Sequence, residues 1–64
     1  MSRVRRGGFV FVWWKGDHEP RHVHVFRDDR LILKWNLEAW QPLSGVASSR
    51  ILWILVELRR EGRF

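Results

Sequence analysis

The alternation of apolar and polar positions along the chain predicts three β-strands followed by one helix. Residues 9–14, FVFVWW, are all β-branched or aromatic and predict the first strand. Residues 21–27 and 31–35 predict the second and third strands, and Asp28-Asp29 between them indicates a hairpin turn. We therefore expect an antiparallel meander sheet.

The first predicted strand is apolar on both faces. Successive side chains of a strand point to opposite sides, so Phe9, Phe11 and Trp13 share one face, while two valines and Trp14 share the other. Such strands are typical of the interior of a sheet that is covered on both sides. We expect this strand to be central, with something covering each face.

Residues 46–61 predict a single amphipathic helix. Ser44 and Ser48 are both candidates for its N-cap, and Gly62 is expected to end it. Apolar residues at helical spacing form one stripe, which we expect to cover the sheet: Ile51, Ile54, Leu55 and Leu58. Trp53 lies nearly opposite the centre of this stripe, where a single copy has little to bury it. Trp53 is therefore the expected interface residue of a homo-oligomer or a partner complex; a half-exposed ring is the alternative.

The remaining segments complete a single α+β domain over residues 1–64. The predicted order is β-β-β-α, a three-stranded antiparallel meander sheet followed by one C-terminal helix. Residues 1–8 are either a basic N-terminal arm or the start of the first strand. Residues 36–45 are expected to be irregular, because Pro42 and Gly45 prevent a continuous helix there.

The charge balance indicates an anionic partner. Twelve Lys and Arg residues against seven Asp and Glu give a formal charge of +5, which suits nucleic acid or an acidic cognate protein. A surplus that serves solubility alone is the alternative. The residues expected to contact nucleic acid are Arg3, Arg5, Arg6, Lys15, Arg21, Arg27, Arg30 and Lys34.

Two absences from the sequence narrow the function classes. Cysteine does not occur, which excludes disulfides and thiolate metal ligands and favours a cytoplasmic protein. No apolar run is long enough to span a bilayer, so we expect neither a signal peptide nor a membrane partner.

Three histidines are concentrated in one loop and the strand that follows it. Alternation along the second predicted strand places His22, His24 and Phe26 on one face, with alternate side chains roughly 6–7 Å apart. His18 lies just upstream, between Asp17 and Glu19, in a loop that can fold back over this pair. This stretch is the expected functional site.

Three roles are open for these histidines. His22 and His24 are a candidate catalytic pair, because imidazoles exchange protons near neutral pH and can act on an RNA 2′-hydroxyl. With His18 or a loop carboxylate as the third ligand they are also a candidate site for zinc or another first-row metal, and no other cofactor is expected. The third role is structural, with the rings pinning the first hairpin. The sequence therefore leaves open whether the protein is an enzyme.

The stretch GDHEPRHVHV, residues 16–25, resembles the signature of the small bacterial and archaeal family called domain of unknown function 4160. Its members carry an acidic or Asn-His pair, a proline, and then His-hydrophobic-His at the start of the second strand. The later stretch LEAWQPLSGVASSRIL also fits, so the resemblance spans about residues 8–61. Many members have two prolines where this chain has Pro20-Arg21.

Members of that family are often encoded beside another small protein, and such pairs have been proposed to be toxin–antitoxin modules. The resemblance implies that this chain is the toxin-like component of a two-gene system acting on RNA. The alternative is a protein–protein interaction or self-assembly module whose histidines are structural.

Overall fold

A computed structural model describes residues 1–14 and 20–64, which form an antiparallel sheet with a helix packed across one face. Five strands lie side by side in chain order: β1 Ser2–Arg6, β2 Phe9–Trp13, β3 His22–Arg27, β4 Arg30–Asn36 and β5 Gln41–Gly45. The helix α1, Ser49–Arg60, follows β5. The α+β class, the antiparallel meander and the C-terminal helix are thus confirmed.

The predicted count of three strands is wrong, and the N-terminal residues account for one of the two additional strands. β1 pairs with β2 along its whole length. Its one apolar residue is Val4, so the pattern that normally predicts a strand is almost absent. Gly7 and Gly8 close the hairpin with φ angles of 63° and 84°, as a type I′ turn requires.

The second additional strand lies in the segment that was expected to be irregular. All five residues of β5 are exposed, so no pattern of burial marks the strand in the sequence. Backbone pairing with β4 holds it in place, and Pro42 is tolerated because β5 is an edge strand.

The helix begins at Ser49, later than the predicted residue 46. Ser48 is the N-cap, and its hydroxyl oxygen accepts a hydrogen bond of 3.2 Å from the backbone N–H of Ile51. At the other end the Gly62 N–H donates to the Arg59 carbonyl and the Arg63 N–H donates to the Leu58 carbonyl, both at 3.0 Å. This pair of bonds is the Schellman motif, which confirms Gly62 as the residue that ends the helix.

The hydrophobic core lies between α1 and one face of the sheet. The predicted helix stripe is confirmed, because its four residues are all buried. Together with seven strand residues they form one cluster: Phe9, Phe11, Trp13, Val23, Val25, Leu33, Trp35, Ile51, Ile54, Leu55 and Leu58. Within the described residues, no helix is long and apolar enough to cross a membrane.

The opposite face of the sheet has no helix or strand over it within the described part of the chain. The expectation that something covers both faces of the first predicted strand is confirmed for the helix side, and for this face it stays a prediction. Val12 is buried among its neighbours, but Trp14 is 40% exposed. We call this surface the open face, and its side chains are Arg3, Arg5, Val10, Val12, Trp14, His22, His24, Phe26, Leu31 and Lys34.

Candidate nucleic-acid interface

Strand register builds the open face from two rows of side chains. Val12 lies opposite Arg3 on one side and His24 on the other, and His24 in turn lies opposite Lys34. Neighbouring strands are about 4.8 Å apart, and directly paired residues project from the same face. One continuous row therefore crosses the sheet with the His24 imidazole between Arg3 and Lys34, and Ser44 on β5 continues the row beyond Lys34.

The second row runs parallel to the first and is more apolar. Val10 lies between Arg5 and Phe26, and Phe26 lies opposite Leu31. Leu31 is 46% exposed, because an irregularity in the β3–β4 pairing shifts the register beside it. This row also begins with an arginine on β1, so both rows place positive charge along the same edge of the sheet.

Four aromatic rings form the centre of the open face, and we call Trp14, His22, His24 and Phe26 the aromatic cluster. The His24 ring centroid lies 5.2 Å from that of Trp14 and 4.9 Å from that of His22. Phe26 lies 6.4 Å from His24 with its ring nearly parallel. The predicted shared face of His22, His24 and Phe26 is thus confirmed, and the two imidazoles are turned towards each other.

The orientation of His22 is set by the backbone beside it. Its Nδ1 lies 2.9 Å from the carbonyl oxygen of Pro20. A carbonyl can only accept a hydrogen bond, so Nδ1 carries the proton in this contact and the neutral ring has its lone pair on Nε2. A backbone carbonyl that fixes one ring nitrogen is the usual way to orient a histidine for proton transfer or ligand binding.

The residues predicted to bind nucleic acid do not all lie together. Arg3, Arg5 and Lys34 lie on the open face. Arg27 and Arg30 flank the β3–β4 turn at one end of the sheet. Arg21 lies at the other end, where its backbone N–H donates to a carboxylate oxygen of Glu38 at 3.2 Å. The structure therefore places three of these basic residues beside the aromatic cluster.

Arg6 lies on the helix side of the sheet, away from the open face. Its guanidinium donates two hydrogen bonds, of 2.7 and 3.1 Å, to the carboxylate of Glu61. The bonds to Glu61 raise the pKa of Arg6, and the bonds from Arg6 lower the pKa of Glu61 below its ordinary value. This bidentate ion pair ties β1 to the end of α1.

Two of the predicted site residues, Lys15 and His18, lie outside the described residues, as do Asp17 and Glu19. Among residues 1–14 and 20–64, no three His, Asp or Glu side chains come together as a metal site. The predicted zinc site takes its third ligand, His18 or a loop carboxylate, from outside these two ranges, so it stays a prediction.

Trp53 projects from the outer side of α1, as the helical spacing predicts, and it is 65% exposed. Its position is confirmed, and its role in an interface stays a prediction. Trp14 and Phe26 were not singled out as binding residues in the sequence. Alternation along one strand places Phe26 on the face of the histidines, whereas Trp14 comes beside His24 only through the pairing of two strands.

Comparisons of this chain with known protein families, with curated proteins and with solved structures find no match. Membership of the family that residues 16–25 resemble therefore stays a prediction, and the open face has to be interpreted from its own chemistry.

Proposed function

We propose that this protein binds single-stranded RNA on the open face of its sheet. The observation that carries the proposal is a sheet face that no described helix or strand covers, on which an aromatic cluster lies among cations. Sheet-borne aromatic side chains bind RNA by stacking on unpaired bases, while Arg and Lys contact the phosphates. The open face of this chain offers both kinds of group: the rings of the aromatic cluster, and the cations Arg3, Arg5 and Lys34.

Charge favours an anionic strand over a second copy of the chain as the occupant of the open face. Two copies packed face to face would bring Arg3, Arg5 and Lys34 close to the same residues of the other copy. Like charges in such a contact repel each other, and their desolvation adds a further cost. A single RNA strand instead supplies flat bases for the rings and negative phosphates for the cations.

The test is the affinity of fluorescein-labelled single-stranded RNA, measured by fluorescence anisotropy at several salt concentrations. We expect Trp14→Ala and Phe26→Ala each to weaken binding by about 5- to 150-fold, the effect of losing one stacked base, worth about 1–3 kcal/mol. Lys34→Gln should lower the slope of log affinity against log salt by about 1, because one phosphate contact is lost.

Trp53→Ala is the matched control, since Trp53 is the most exposed tryptophan but projects from the helix. It should leave RNA affinity unchanged. Equal weakening by Trp53→Ala and Trp14→Ala would contradict the proposal, and so would the absence of any RNA binding at low salt. Single-stranded DNA of the same sequence shows whether the 2′-hydroxyl contributes.

Metal-free cleavage of the bound RNA is a second candidate function, favoured by the 4.9 Å separation of the His22 and His24 rings. In such a reaction one imidazole takes the proton of the 2′-hydroxyl, and the 2′-oxygen attacks the adjacent phosphorus. The other imidazole, protonated, gives its proton to the departing 5′-oxygen. The products are a 2′,3′-cyclic phosphate and a 5′-hydroxyl, so no other reactant is consumed.

Incubation of end-labelled RNA with the metal-free protein tests this second function. We expect a 2′,3′-cyclic phosphate product, with DNA left intact because it lacks the attacking hydroxyl. His22→Ala and His24→Ala should each stop cleavage while RNA still binds. If the RNA stays intact at saturating binding, the protein binds RNA without cleaving it.

A role as the toxin-like member of a gene pair, with an acidic cognate protein as partner, also stays a proposal.

A further inference from the structure

A basic cleft lies at one end of the sheet, where the β1–β2 turn and the β3–β4 turn approach the start of α1. Its volume is about 440 Å³, within the roughly 300–1,000 Å³ range of small-molecule sites. Three arginines from three different elements line it together with the turn residues: Arg5, Gly7, Gly8, Arg27, Asp28 and Arg50. We call this the arginine cleft.

Local packing places these arginines around the cleft. The Arg27 guanidinium lies 5.8 Å from the centre of the Phe9 ring, a cation–π contact. The Arg50 Nε lies 3.6 Å from the point that a Cβ on Gly7 would occupy, so this side chain packs against the β1–β2 turn. Within the described residues, none of the three guanidinium groups has a carboxylate at ion-pair distance, since the ion pairs there involve Glu61.

The charge of the arginine cleft fits a terminal phosphate. Three guanidinium groups and the carboxylate of Asp28 leave a formal charge of +2 among the lining residues. A phosphate monoester carries about −1.5 to −2 at neutral pH, whereas each internal phosphodiester of a strand carries one negative charge. Guanidinium groups also match phosphate oxygens in geometry, because they donate two parallel hydrogen bonds.

The arginine cleft adjoins the open face through two residues. Arg5 lines the cleft and lies directly opposite Val10 on the open face. Arg27 follows Phe26, the last member of the aromatic cluster, along β3. A strand whose bases stack on the aromatic cluster therefore reaches the cleft at the end of the sheet.

We infer that the arginine cleft binds the terminal phosphate of the single-stranded RNA that lies on the open face. The inference rests on the proposed function, and it adds a preference for one chemically distinct end of the strand. The lining arginines hold that phosphate, and the strand continues from it across the aromatic cluster.

Oligonucleotides that differ only at their ends test this preference. One labelled RNA decamer is prepared with a 5′-phosphate, with a 3′-phosphate, or with hydroxyls at both ends, and the affinity of each is measured by anisotropy. We expect one phosphorylated form to bind about tenfold tighter or more than the hydroxyl form, because hydrogen bonds to a charged group are gained. The end that confers the gain identifies which terminus enters the cleft.

Arg50→Gln should abolish this gain while leaving the affinity for the hydroxyl form unchanged. Arg60→Gln is the matched control: Arg60 is exposed on the same helix but lies outside the arginine cleft, so the gain should persist. Thermal unfolding of both variants verifies that they are folded. A gain that survives in Arg50→Gln overturns the inference.

Two further outcomes separate this inference from the proposed function. Equal affinity for all three RNA forms would overturn the arginine cleft and leave RNA binding on the open face intact. If no RNA binds, the proposed function fails and the inference about its terminus fails with it. Titration with inorganic phosphate, followed by the amide NMR signals of Gly7 and Gly8, would then show whether the cleft takes phosphate alone.

Discussion

At the scale of single residues, the turns depend on backbone conformations with positive φ that only a few residue types adopt readily. Asp28 and Asp29 have φ angles of 51° and 64°, so the predicted hairpin tip is confirmed as a two-residue turn with both residues left-handed. Aspartate tolerates this region better than most residues. Gly45 has a φ of 84°, and a Cβ added there would overlap the backbone carbonyl of Ile32 on β4. Glycine at this position therefore lets β5 approach its neighbour.

A comparison of Gly45→Ala with Gly62→Ala separates two costs to stability: the overlap with the β4 backbone and the strain of a positive φ angle. Both glycines have positive φ, at 84° and 77°, but a Cβ on Gly62 would meet nothing within 4 Å. We expect Gly62→Ala to lower the free energy of unfolding by about 1–2 kcal/mol. Gly45→Ala should lower it by about 2–5 kcal/mol, because overpacking adds to the strain. Urea unfolding followed by tryptophan fluorescence measures both, and equal losses would contradict the proposed clash.

At the scale of elements, the sheet gains two edge strands whose stability comes from their neighbours. β1 is attached through its hairpin with β2 and through the ion pair between Arg6 and Glu61. β5 depends on its pairing with β4. The helix is specified more locally, since its apolar stripe, its Ser48 cap and its Gly62 stop are all visible in the sequence.

The ion pair that ties β1 to α1 predicts a stability that depends on pH. Arg6 lowers the pKa of Glu61 from its ordinary value of 4.5, so the unfolded chain takes up this proton before the folded chain does. The stabilisation is therefore present above about pH 4.5 and is lost as the pH falls through the lowered value. The difference in unfolding free energy between wild type and Glu61→Gln should shrink across that window.

Glu57→Gln is the control for this measurement, because Glu57 lies one turn earlier on the same helix and makes no ion pair within the described residues. Its difference from wild type should not follow the same pH course. A Glu61→Gln difference that stays constant from pH 6 to pH 3 would show that the ion pair does not stabilise the fold.

At the scale of the whole molecule, one face of the sheet is closed by the helix and the other presents rings and cations. The buried tryptophans, Trp13 and Trp35, belong to the core. Trp14 and Trp53 are exposed on opposite sides of the molecule, one on the open face and one on the outer side of α1. The two exposed tryptophans therefore lie at separate positions on the surface, and the proposed RNA binding would use one of them.

Trp53→Lys tests whether the second position is an interface between copies of the chain. We expect the wild type to sediment as an oligomer and Trp53→Lys to associate about 30-fold more weakly or worse, as for an interface residue worth 2 kcal/mol or more. The variant should still unfold cooperatively in urea, because Trp53 is not part of the core cluster. Identical sedimentation of the two proteins would end the interface hypothesis.

Prediction from the sequence succeeded where the information is periodic and local. The alternation His22–Val23–His24–Val25 places the imidazoles on one face and the valines in the core, and the structure has both so arranged. The buried stripe of the helix and its end before Gly62 follow from spacing and residue type in the same way, whereas the helix begins at Ser49 and not at the predicted residue 46. β1 and β5 were missed because one has a single apolar residue and the other has no buried residue. Their pairing is a property of the neighbouring strand's backbone, which leaves no pattern in the side chains.

The sequence alone determined the α+β class, the apolar stripe of the helix with its stop at Gly62, and the histidine face, because each depends on residues close together in the chain; the net charge follows from composition. Of the two candidate N-caps, Ser44 and Ser48, the structure decided for Ser48. The tertiary structure decided which face of the sheet the helix leaves uncovered and which distant residues meet there. Arg3, His24 and Lys34 form one row only because strand register aligns three separate segments. Arg5, Arg27 and Arg50 line one cleft only because two turns and the start of the helix come together at one end of the sheet. Such contacts join residues far apart in the chain, and they exist only once the backbone pairing has been made.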